Sequence, residues 1–254
     1  MLAEGGAGEL ARQAAAFAPA PTVWMIDGRV LRPATPAPLP VPPALSPGVA
    51  AQRDVIEAAG AEPVEEHGVL SGEVAGLEVC RVVVGPDGKA SLEVGIGPQD
   101  REAAGLLHGD DMAAALAGVV SLVAVHRRPS SPPHPLNRLA RGRALRHRLV
   151  RDPSLVGLTR LEPAPPPVPR RNGDGPCAAI GVDPSGRPVV VVCSAGIDLD
   201  LAPFASDARL ALGGGSRLVL AVPEGDDHPV TRRLASLLRA PAEVVPVPPA
   251  VGAT

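Results

Sequence analysis

Aromatic side chains are nearly missing from this chain of 254 residues, in which Phe17, Trp24 and Phe204 are the only ones. Its core must therefore be built from Val, Leu, Ala and Ile, since 45% of the residues are hydrophobic and tyrosine is absent. Proteins that grip single-stranded nucleic acid usually stack the bases on aromatic rings. The composition excludes a stacking platform of that kind.

Lysine is almost absent as well, because Lys89 is the only one and Arg supplies every other basic side chain except His. Heavy use of Ala, Arg, Gly and Pro is typical of a GC-rich genome, so the preference for Arg does not by itself indicate a role in binding. The formal net charge of −3 at pH 7 indicates no particular partner.

Cysteine is sparse, and Cys80, Cys177 and Cys193 show no CxxC spacing. An odd number of such cysteines is typical of reduced thiols in a cytoplasmic protein. The N-terminal segment carries acids where a signal peptide needs a basic region. The longest apolar run, Met112–Val125, is too short to span a bilayer. We therefore expect a cytoplasmic protein without a membrane partner.

Two proline-rich stretches divide the chain. Residues 33–47 carry proline at almost every second or third position, which predicts an extended surface segment because helices and central strands do not tolerate this spacing. Residues 163–171 predict a second linker. The sequence thus predicts an N-terminal α/β lobe over residues 1–162, ending in an Arg-rich helix, and a C-terminal α/β lobe over residues 172–254.

A strand–turn–strand pattern occurs twice along the chain. Residues 76–97 read GLEVCRVVVGPDGKASLEVGIG, and residues 176–196 read PCAAIGVDPSGRPVVVVCSAG. The aligned pairs are Pro86 with Pro184, Gly88 with Gly186, Lys89 with Arg187 and Glu93 with Val191. This internal duplication predicts two related lobes, each a mixed sheet with flanking helices.

The second hairpin opens a regular β-β-α-β-α-β order. The predicted elements are strands at 177–182 and 188–194, a helix at 201–212, a strand at 217–222, a helix at 229–238 and a last strand at 243–247. This order predicts helices packed on a mixed sheet. The unbroken apolar run Val189–Cys193 predicts a central strand covered on both faces.

The C-terminal pattern resembles the core of the restriction-endonuclease-like fold of the PD-(D/E)xK nucleases. That family carries an Asp on one strand and, after a turn, Asp/Glu-x-Lys on the next. Here Asp183 precedes the turn, but Val191 and Cys193 stand where the family has its second acid and its lysine. In the first hairpin Glu93 supplies an acid without the lysine, and Glu78 stands for the first acid. The whole chain also resembles a group of actinobacterial proteins, which implies no activity.

The departures from the nuclease motif matter for chemistry. Such a site needs two carboxylates to hold a divalent cation against the scissile phosphate, and a lysine to stabilise developing charge. Lys89 precedes Glu93 by four residues and so lies about 10–13 Å from it along a strand. The resemblance therefore implies a degenerate nuclease-like protein without a cofactor, or a Mg²⁺-dependent nuclease if the site is active.

Two groups of acids are candidates for a site. Glu73, Glu78 and Glu93 lie on adjacent predicted strands, either as a weak metal site or, as we favour, as solvent-facing acids. Asp198 and Asp200 follow the central strand, at the edge where α/β sheets bind ligands. We favour helix capping for Asp200, because Asp is a preferred N-cap residue.

An Arg-rich segment gives the strongest indication of an interaction. Residues 135–152, PLNRLARGRALRHRLVRD, predict one helix with an apolar stripe. The basic residues on its other face are Arg138, Arg141, Arg143, Arg146, Arg148 and Arg151. Such a row binds phosphate oxygens bidentately and produces salt-sensitive affinity for a nucleic-acid duplex. The alternatives are a solvated face, or pairing with acids elsewhere in the chain.

Three hypotheses for function remain at this point. The first is a non-catalytic binding or scaffolding protein, whose Arg-rich helix contacts duplex nucleic acid or an acidic partner. The second is a metal-dependent nuclease that uses Glu78 and Glu93. The third is a structural subunit of a larger assembly, docked through its proline-rich segments.

Overall fold

The structure of this protein is a computed structural model, and it divides the chain into two compact units. We call Met1–Val41 with Arg148–Pro248 the terminal unit, and Pro42–His147 with Pro249–Thr254 the middle unit. The residues that the structure describes are 2–3, 6–108, 111–128, 131–169 and 175–249.

The secondary structure follows most of the predicted elements. The strands are β1 (Leu2–Ala3), β2 (Trp24–Asp27), β3 (Val30–Pro33), β4 (Glu62–Glu66), β5 (Val69–Val74), β6 (Leu77–Val84), β7 (Ala90–Val94), β8 (Arg160–Pro163), β9 (Cys177–Val182), β10 (Pro188–Cys193), β11 (Arg217–Pro223) and β12 (Glu243–Val247). The α-helices are α1 (Ala7–Ala15), α2 (Pro47–Ala50), α3 (Arg53–Ala58), α4 (Pro98–His108), α5 (Met112–His126), α6 (Arg141–Arg151), α7 (Leu201–Leu212) and α8 (Pro229–Ser236). The 3₁₀ turns are Pro135–Arg138, Pro153–Val156 and Glu224–Asp226.

The terminal unit contains a five-stranded mixed sheet in the order β12-β11-β10-β9-β8. Strand β9 runs antiparallel to β8 and β10, whereas β10, β11 and β12 are parallel. Residues Val189–Cys193 of β10 are completely buried. The predicted β-β-α-β-α-β order and the central, covered position of β10 are therefore confirmed. A small three-stranded sheet, β1-β2-β3, belongs to the same unit.

The middle unit contains a four-stranded sheet in the order β4-β5-β6-β7, in which every pairing is antiparallel. One face of this sheet packs against helices α2, α3 and α5. The core there includes Ile56, Leu70, Val79, Leu116 and Val123, all without solvent exposure. The β4–β5 hairpin was not predicted, because β4 reads Glu-Pro-Val-Glu-Glu and only an edge strand tolerates this composition.

The two predicted hairpins do form the same turn. Gly85 donates its N–H to the Lys89 carbonyl at 2.9 Å, and Asp183 donates to the Arg187 carbonyl at 3.0 Å. The aligned glycines have φ angles of 77° at Gly88 and 81° at Gly186. Beyond these turns the sheets differ, since β7 is an edge strand and β10 is central. The prediction of two related lobes is not confirmed, and the first sheet is antiparallel rather than mixed.

The two proline-rich stretches behave differently from each other. Residues 34–46 have no helix or strand and are largely exposed, as predicted. In the second stretch, Pro163 ends β8 and Ala164 is buried, with its N–H bonded to the Ala178 carbonyl at 3.0 Å. Residues 163–169 therefore pack on the sheet and do not form a free linker. Residues 170 and 171 of the predicted linker lie outside the described part of the chain.

The division into units consequently differs from the predicted lobes. The chain crosses between units after Val41, after His147 and again after Pro248. The predicted boundary fell later because the β8 pairing was hidden among prolines. Within the described residues, no helix combines the length and the apolar character needed to cross a membrane.

Candidate anion-binding cavity

Acidic side chains occupy the face of the middle sheet that lies opposite its apolar core. Glu73 on β5 is the register partner of both Glu62 on β4 and Glu78 on β6. Residues paired directly across antiparallel strands project from the same face, so these three acids form one row. The prediction that Glu73 and Glu78 lie on adjacent strands is confirmed, but the interpretation of Glu73 as a solvent-facing acid is wrong, because this residue is only 2% exposed.

Glu78 is held by two guanidinium groups. The register shifts between Gly72 and Glu73, which leaves one extra residue in β6 and puts Glu78 on the same face as Arg81. Arg81 donates to both carboxylate oxygens of Glu78 at 3.0 Å, and Arg101 donates to Oε1 at 2.5 Å. The hydrogen bonds from Arg81 to Glu78 raise the pKa of the Arg81 guanidinium. A divalent cation at Glu78 would meet these two positive charges.

Glu93 lies directly opposite Arg81 in the β6–β7 pairing. The fold thus brings Glu78 and Glu93 to one face, but a positive charge belongs to the same group. Lys89 is exposed near the hairpin turn, where its ammonium lies 3.8 Å from Asp87. Across the described ranges, no three His, Cys, Asp or Glu side chains are grouped so that they could hold a metal ion. The arrangement is an ion-pair network.

The second hairpin places its motif positions inside the protein. Val191 and Cys193 are completely buried in β10. Asp183 accepts hydrogen bonds from the Ser185 N–H at 2.9 Å, the Ser185 hydroxyl at 2.6 Å and the Arg187 N–H at 3.0 Å. It also accepts a hydrogen bond from the Arg187 guanidinium at 3.1 Å. Asp183 therefore closes the hairpin turn.

The stability that Asp183 contributes should depend on pH. Hydrogen bonds from the Ser185 hydroxyl and the Arg187 N–H hold the pKa of this carboxyl well below its usual range. Its contribution is then complete at neutral pH and is lost as the pH falls below about 4, the ordinary Asp value, toward the folded-state pKa. We expect the difference in free energy of unfolding between wild type and Asp183→Asn to stay constant above about pH 5 and to shrink as the pH falls from about 5 to about 2.

Urea unfolding at several pH values measures this difference. Asp87→Asn in the other hairpin is the matched control, because Asp87 is exposed and accepts one backbone hydrogen bond, from Lys89. A difference for Asp183→Asn that stays constant over the whole pH range would contradict the assignment.

Asp198 and Asp200 lie in the loop between β10 and α7. Asp198 accepts hydrogen bonds from the Ser194 hydroxyl at 3.1 Å and from the Asp200 N–H at 2.9 Å. Asp200 occupies the N-cap position of α7, but its side chain makes no capping hydrogen bond. The predicted capping by Asp200 is not found, because its backbone is helical (φ −82°, ψ −8°) instead of extended.

The cysteines have structural positions. Cys80, Cys177 and Cys193 are free and buried. Burial raises the pKa of the Cys80 thiol to about 11, so the reactive thiolate is disfavoured at neutral pH.

The Arg-rich segment is interrupted where one helix was predicted. Residues Pro135–Arg138 form a 3₁₀ turn, and α6 begins only at Arg141. The break coincides with Ala140, whose φ angle is 46°. The arginines before and after this break have different environments.

Arg143 and Arg146 point inward and pair with the acids of the middle sheet. Arg143 Nη2 lies 2.6 Å from Glu66 Oε2, and Arg143 also pairs with Glu73. Arg146 Nη2 lies 3.7 Å from Glu73 Oε2. Both arginines are buried. Of the predicted contact residues, these two are consequently not presented to a partner. These two arginines pair with acids elsewhere in the chain, which was one of the two alternatives to binding a partner.

A close approach between α6 and the β5–β6 turn positions these pairs. Gly76 in that turn has a φ angle of 79°, and a Cβ there would lie 2.5 Å from the Arg143 carbonyl carbon. Only glycine fits this contact. Arg148, half-buried farther along α6, donates a hydrogen bond to the Pro248 carbonyl.

Arg138 and Arg141 remain exposed and line a surface cavity of about 610 Å³. The other lining residues are Pro133, His134, Pro135 and Asn137. No acid lies in the first turn of α6, so the positive partial charge of the helix N-terminus adds to that of the arginines. The cavity is therefore suited to a negatively charged group.

His134 is held in place beside these arginines. Its Nδ1 accepts the Leu136 N–H at 3.3 Å, so the neutral ring carries its proton on Nε2. Its ring also stacks on His126, with the ring centroids 3.7 Å apart. Sequence reasoning missed His134 and Asn137. The available signal was a histidine between prolines directly before the Arg-rich segment.

Comparison with protein-family models, curated proteins and solved structures finds no match to this chain. Its function is therefore inferred from the cavity and from the ion pairs around it.

Proposed function

We propose that this protein is a non-catalytic binding or scaffolding protein that holds an acidic partner through Arg138 and Arg141. The observation that supports this is the cavity of about 610 Å³ lined by both exposed arginines. A guanidinium donates two parallel hydrogen bonds to a carboxylate or phosphate. Two such groups in one cavity, one of them at the start of α6 and the other in the preceding 3₁₀ turn, favour a site with several anionic oxygens.

The number of exposed arginines favours an acidic protein segment over a duplex. Affinity for duplex nucleic acid grows with the number of phosphates that a protein neutralises. Arg143 and Arg146 form buried ion pairs with Glu66 and Glu73. The protein therefore exposes fewer arginines in a row than binding to a duplex requires. A carboxylate-rich segment needs only the local cavity.

Separate observations support the part of the proposal that describes the protein as non-catalytic. The proposed resemblance to a nuclease core depends on the β-β-α-β-α-β order of Cys177–Val247. Its motif positions, Val191 and Cys193, carry no acid or lysine and are buried. Glu78, the acid of the alternative site, is neutralised by Arg81 and Arg101.

Charge reversal tests the proposal. We expect the double variant Arg138→Glu/Arg141→Glu to bind a fluorescein-labelled hexaglutamate peptide at least about tenfold more weakly than wild type, because attraction becomes repulsion. Fluorescence anisotropy at two salt concentrations measures the effect, which should be larger at low salt. Arg29→Glu/Arg151→Glu is the matched control, since both of these arginines are exposed and lie outside the cavity.

Three results would contradict the proposal. The control variant could lose as much affinity as the cavity variant. A labelled DNA duplex could bind wild type more tightly than the peptide does. Plasmid DNA could be nicked in the presence of Mg²⁺ by wild type and not by Glu93→Ala, which would favour the nuclease alternative.

A further inference from the structure

Helix α5 presents apolar and small side chains on the face that points away from the core. Leu122 is 55% exposed and Val125 is 51% exposed. Leu116, Val120 and Val123 fill the opposite, buried face. The other exposed residues of the outer face are Ala114, Ala117, Gly118 and Ser121.

This outer face carries almost no polar groups that need a hydrogen-bond partner outside the helix. Its single hydroxyl, Ser121 Oγ, donates to the Ala117 carbonyl of the same helix at 2.9 Å. The helix carries no Asp, Glu, Lys or Arg between its first and last residues. A helix that is apolar on all sides is normally covered on all sides, and contiguous exposed apolar surface marks an interaction site.

The side chains along this face match those of a second copy of the same helix that runs in the opposite direction. An antiparallel second copy of α5, centred between Val119 and Val120, sets large side chains against small ones. The opposed pairs are Ala114 with Val125, Ala117 with Leu122 and Gly118 with Ser121. Each pair occurs twice in a two-fold contact, which is the property of an isologous interface.

The charges at the two ends of the helix agree with the same register. Asp111 precedes α5, Arg128 follows it, and both are exposed. In the antiparallel arrangement Asp111 of one copy faces Arg128 of the other, and the helix dipoles also oppose each other favourably. A parallel arrangement would set Arg128 against Arg128. The charge pattern therefore favours a second copy of this chain as the occupant.

We propose that two copies of this protein associate through the outer faces of their α5 helices, antiparallel and with two-fold symmetry. None of the residues on this outer face lines the cavity at Arg138 and Arg141. A single helix face is smaller than a standard protein–protein interface, so the dimer forms reversibly, with a dissociation constant of about the micromolar range.

Sedimentation equilibrium tests the association. We expect wild type to shift from monomer to dimer between about 1 and 200 µM, and Leu122→Glu to weaken the dimer at least about tenfold. Leu210→Glu is the matched control, because Leu210 is 56% exposed on α7 and lies outside this face. A wild type that stays monomeric over this range, or equal effects of the two variants, would overturn the proposal.

Cross-linking tests the register. Under mild oxidation, a mixture of Ala114→Cys and Val125→Cys chains should form a disulfide between the two variants, while each variant alone should not. In each single variant the two new thiols are offset by eleven residues, or about 16 Å along the helix, beyond the reach of a disulfide. The native cysteines are buried and do not compete.

Other outcomes identify other occupants. A disulfide formed by Ala114→Cys alone would indicate parallel pairing and overturn the proposal. A dimer that forms no cross-link in the mixture would place the interface elsewhere. A monomer that binds phosphatidylcholine–phosphatidylglycerol vesicles and loses this binding in Leu122→Glu would assign the face to a lipid surface instead.

Discussion

Replacing Arg12 by alanine is expected to lower the free energy of unfolding of the terminal unit by about 3–5 kcal/mol. Arg12 Nε lies 2.8 Å from Asp207 Oδ1, and Nη2 lies 3.1 Å from Oδ2. The Arg12 side chain is 9% exposed and that of Asp207 is 2% exposed. Loss of the guanidinium would leave the Asp207 carboxylate buried without its counter-charge.

Arg12 also joins three separate parts of the terminal unit. Its Nη1 donates to the carbonyls of Ala37 and Pro38 at 2.9 and 3.1 Å, in the proline-rich segment. The ion pair to Asp207 connects α1 with α7. The hydrogen bond to Asp207 raises the pKa of the guanidinium, which stays charged. The variant therefore loses the contacts of both the helix and the proline-rich segment.

Denaturant unfolding followed by far-ultraviolet circular dichroism measures this loss. Arg217→Ala is the matched control, because the Arg217–Glu243 pair at 3.1 Å is 39% and 55% exposed and should contribute at most about 1 kcal/mol. The double variant Arg12→Met/Asp207→Leu should be less destabilised than Arg12→Ala, since it buries no unpaired charge. An Arg12→Ala effect no larger than that of Arg217→Ala would show that the buried pair is not important for stability.

Glu73→Ala should destabilise the middle unit by a similar amount, about 3–5 kcal/mol. The Glu73 side chain is 3% exposed and pairs with both Arg143 and Arg146. Without this carboxylate, two guanidinium groups share a buried environment in which Glu66, 2.6 Å from Arg143, remains one counter-charge. Their mutual repulsion and desolvation would then oppose the docking of α6 on the sheet.

Hydrogen exchange with mass spectrometry locates this effect. We expect faster exchange in peptides from β5 and from the start of α6, and unchanged protection in β10 of the terminal unit. Glu65→Ala is the control, because the Arg53–Glu65 pair at 3.3 Å is 38% and 46% exposed. Uniform acceleration in both units, or no change in β5, would contradict the assigned role of Glu73.

Local patterns explain why much of the fold could be predicted. The turn at Asp183 and Gly186 needs only neighbouring residues, and the glycine supplies the left-handed backbone that the turn requires. The run Val189–Cys193 required burial on both sides, which only a central strand provides. The β4–β5 hairpin and β8 were not predicted because prolines and acids interrupt the apolar pattern of these strands.

The candidate site depended on contacts that no local pattern contains. Arg143 and Glu66 are 77 positions apart, and Arg12 and Asp207 are 195 positions apart. The sequence presented Arg138, Arg141, Arg143 and Arg146 as equivalent members of one helix face. The break at Ala140 and the acidic face of the middle sheet separate them into exposed and buried pairs.

The amino-acid sequence by itself determined the hairpin turns, the buried central strand, the apolar helix α5 and the lack of aromatic stacking groups. These depend on composition and on spacings of a few residues, which set backbone preference and burial. The tertiary structure alone decided which charges meet. An ion pair forms between side chains that the fold brings together, and this distance is a property of the packed chain and not of any segment.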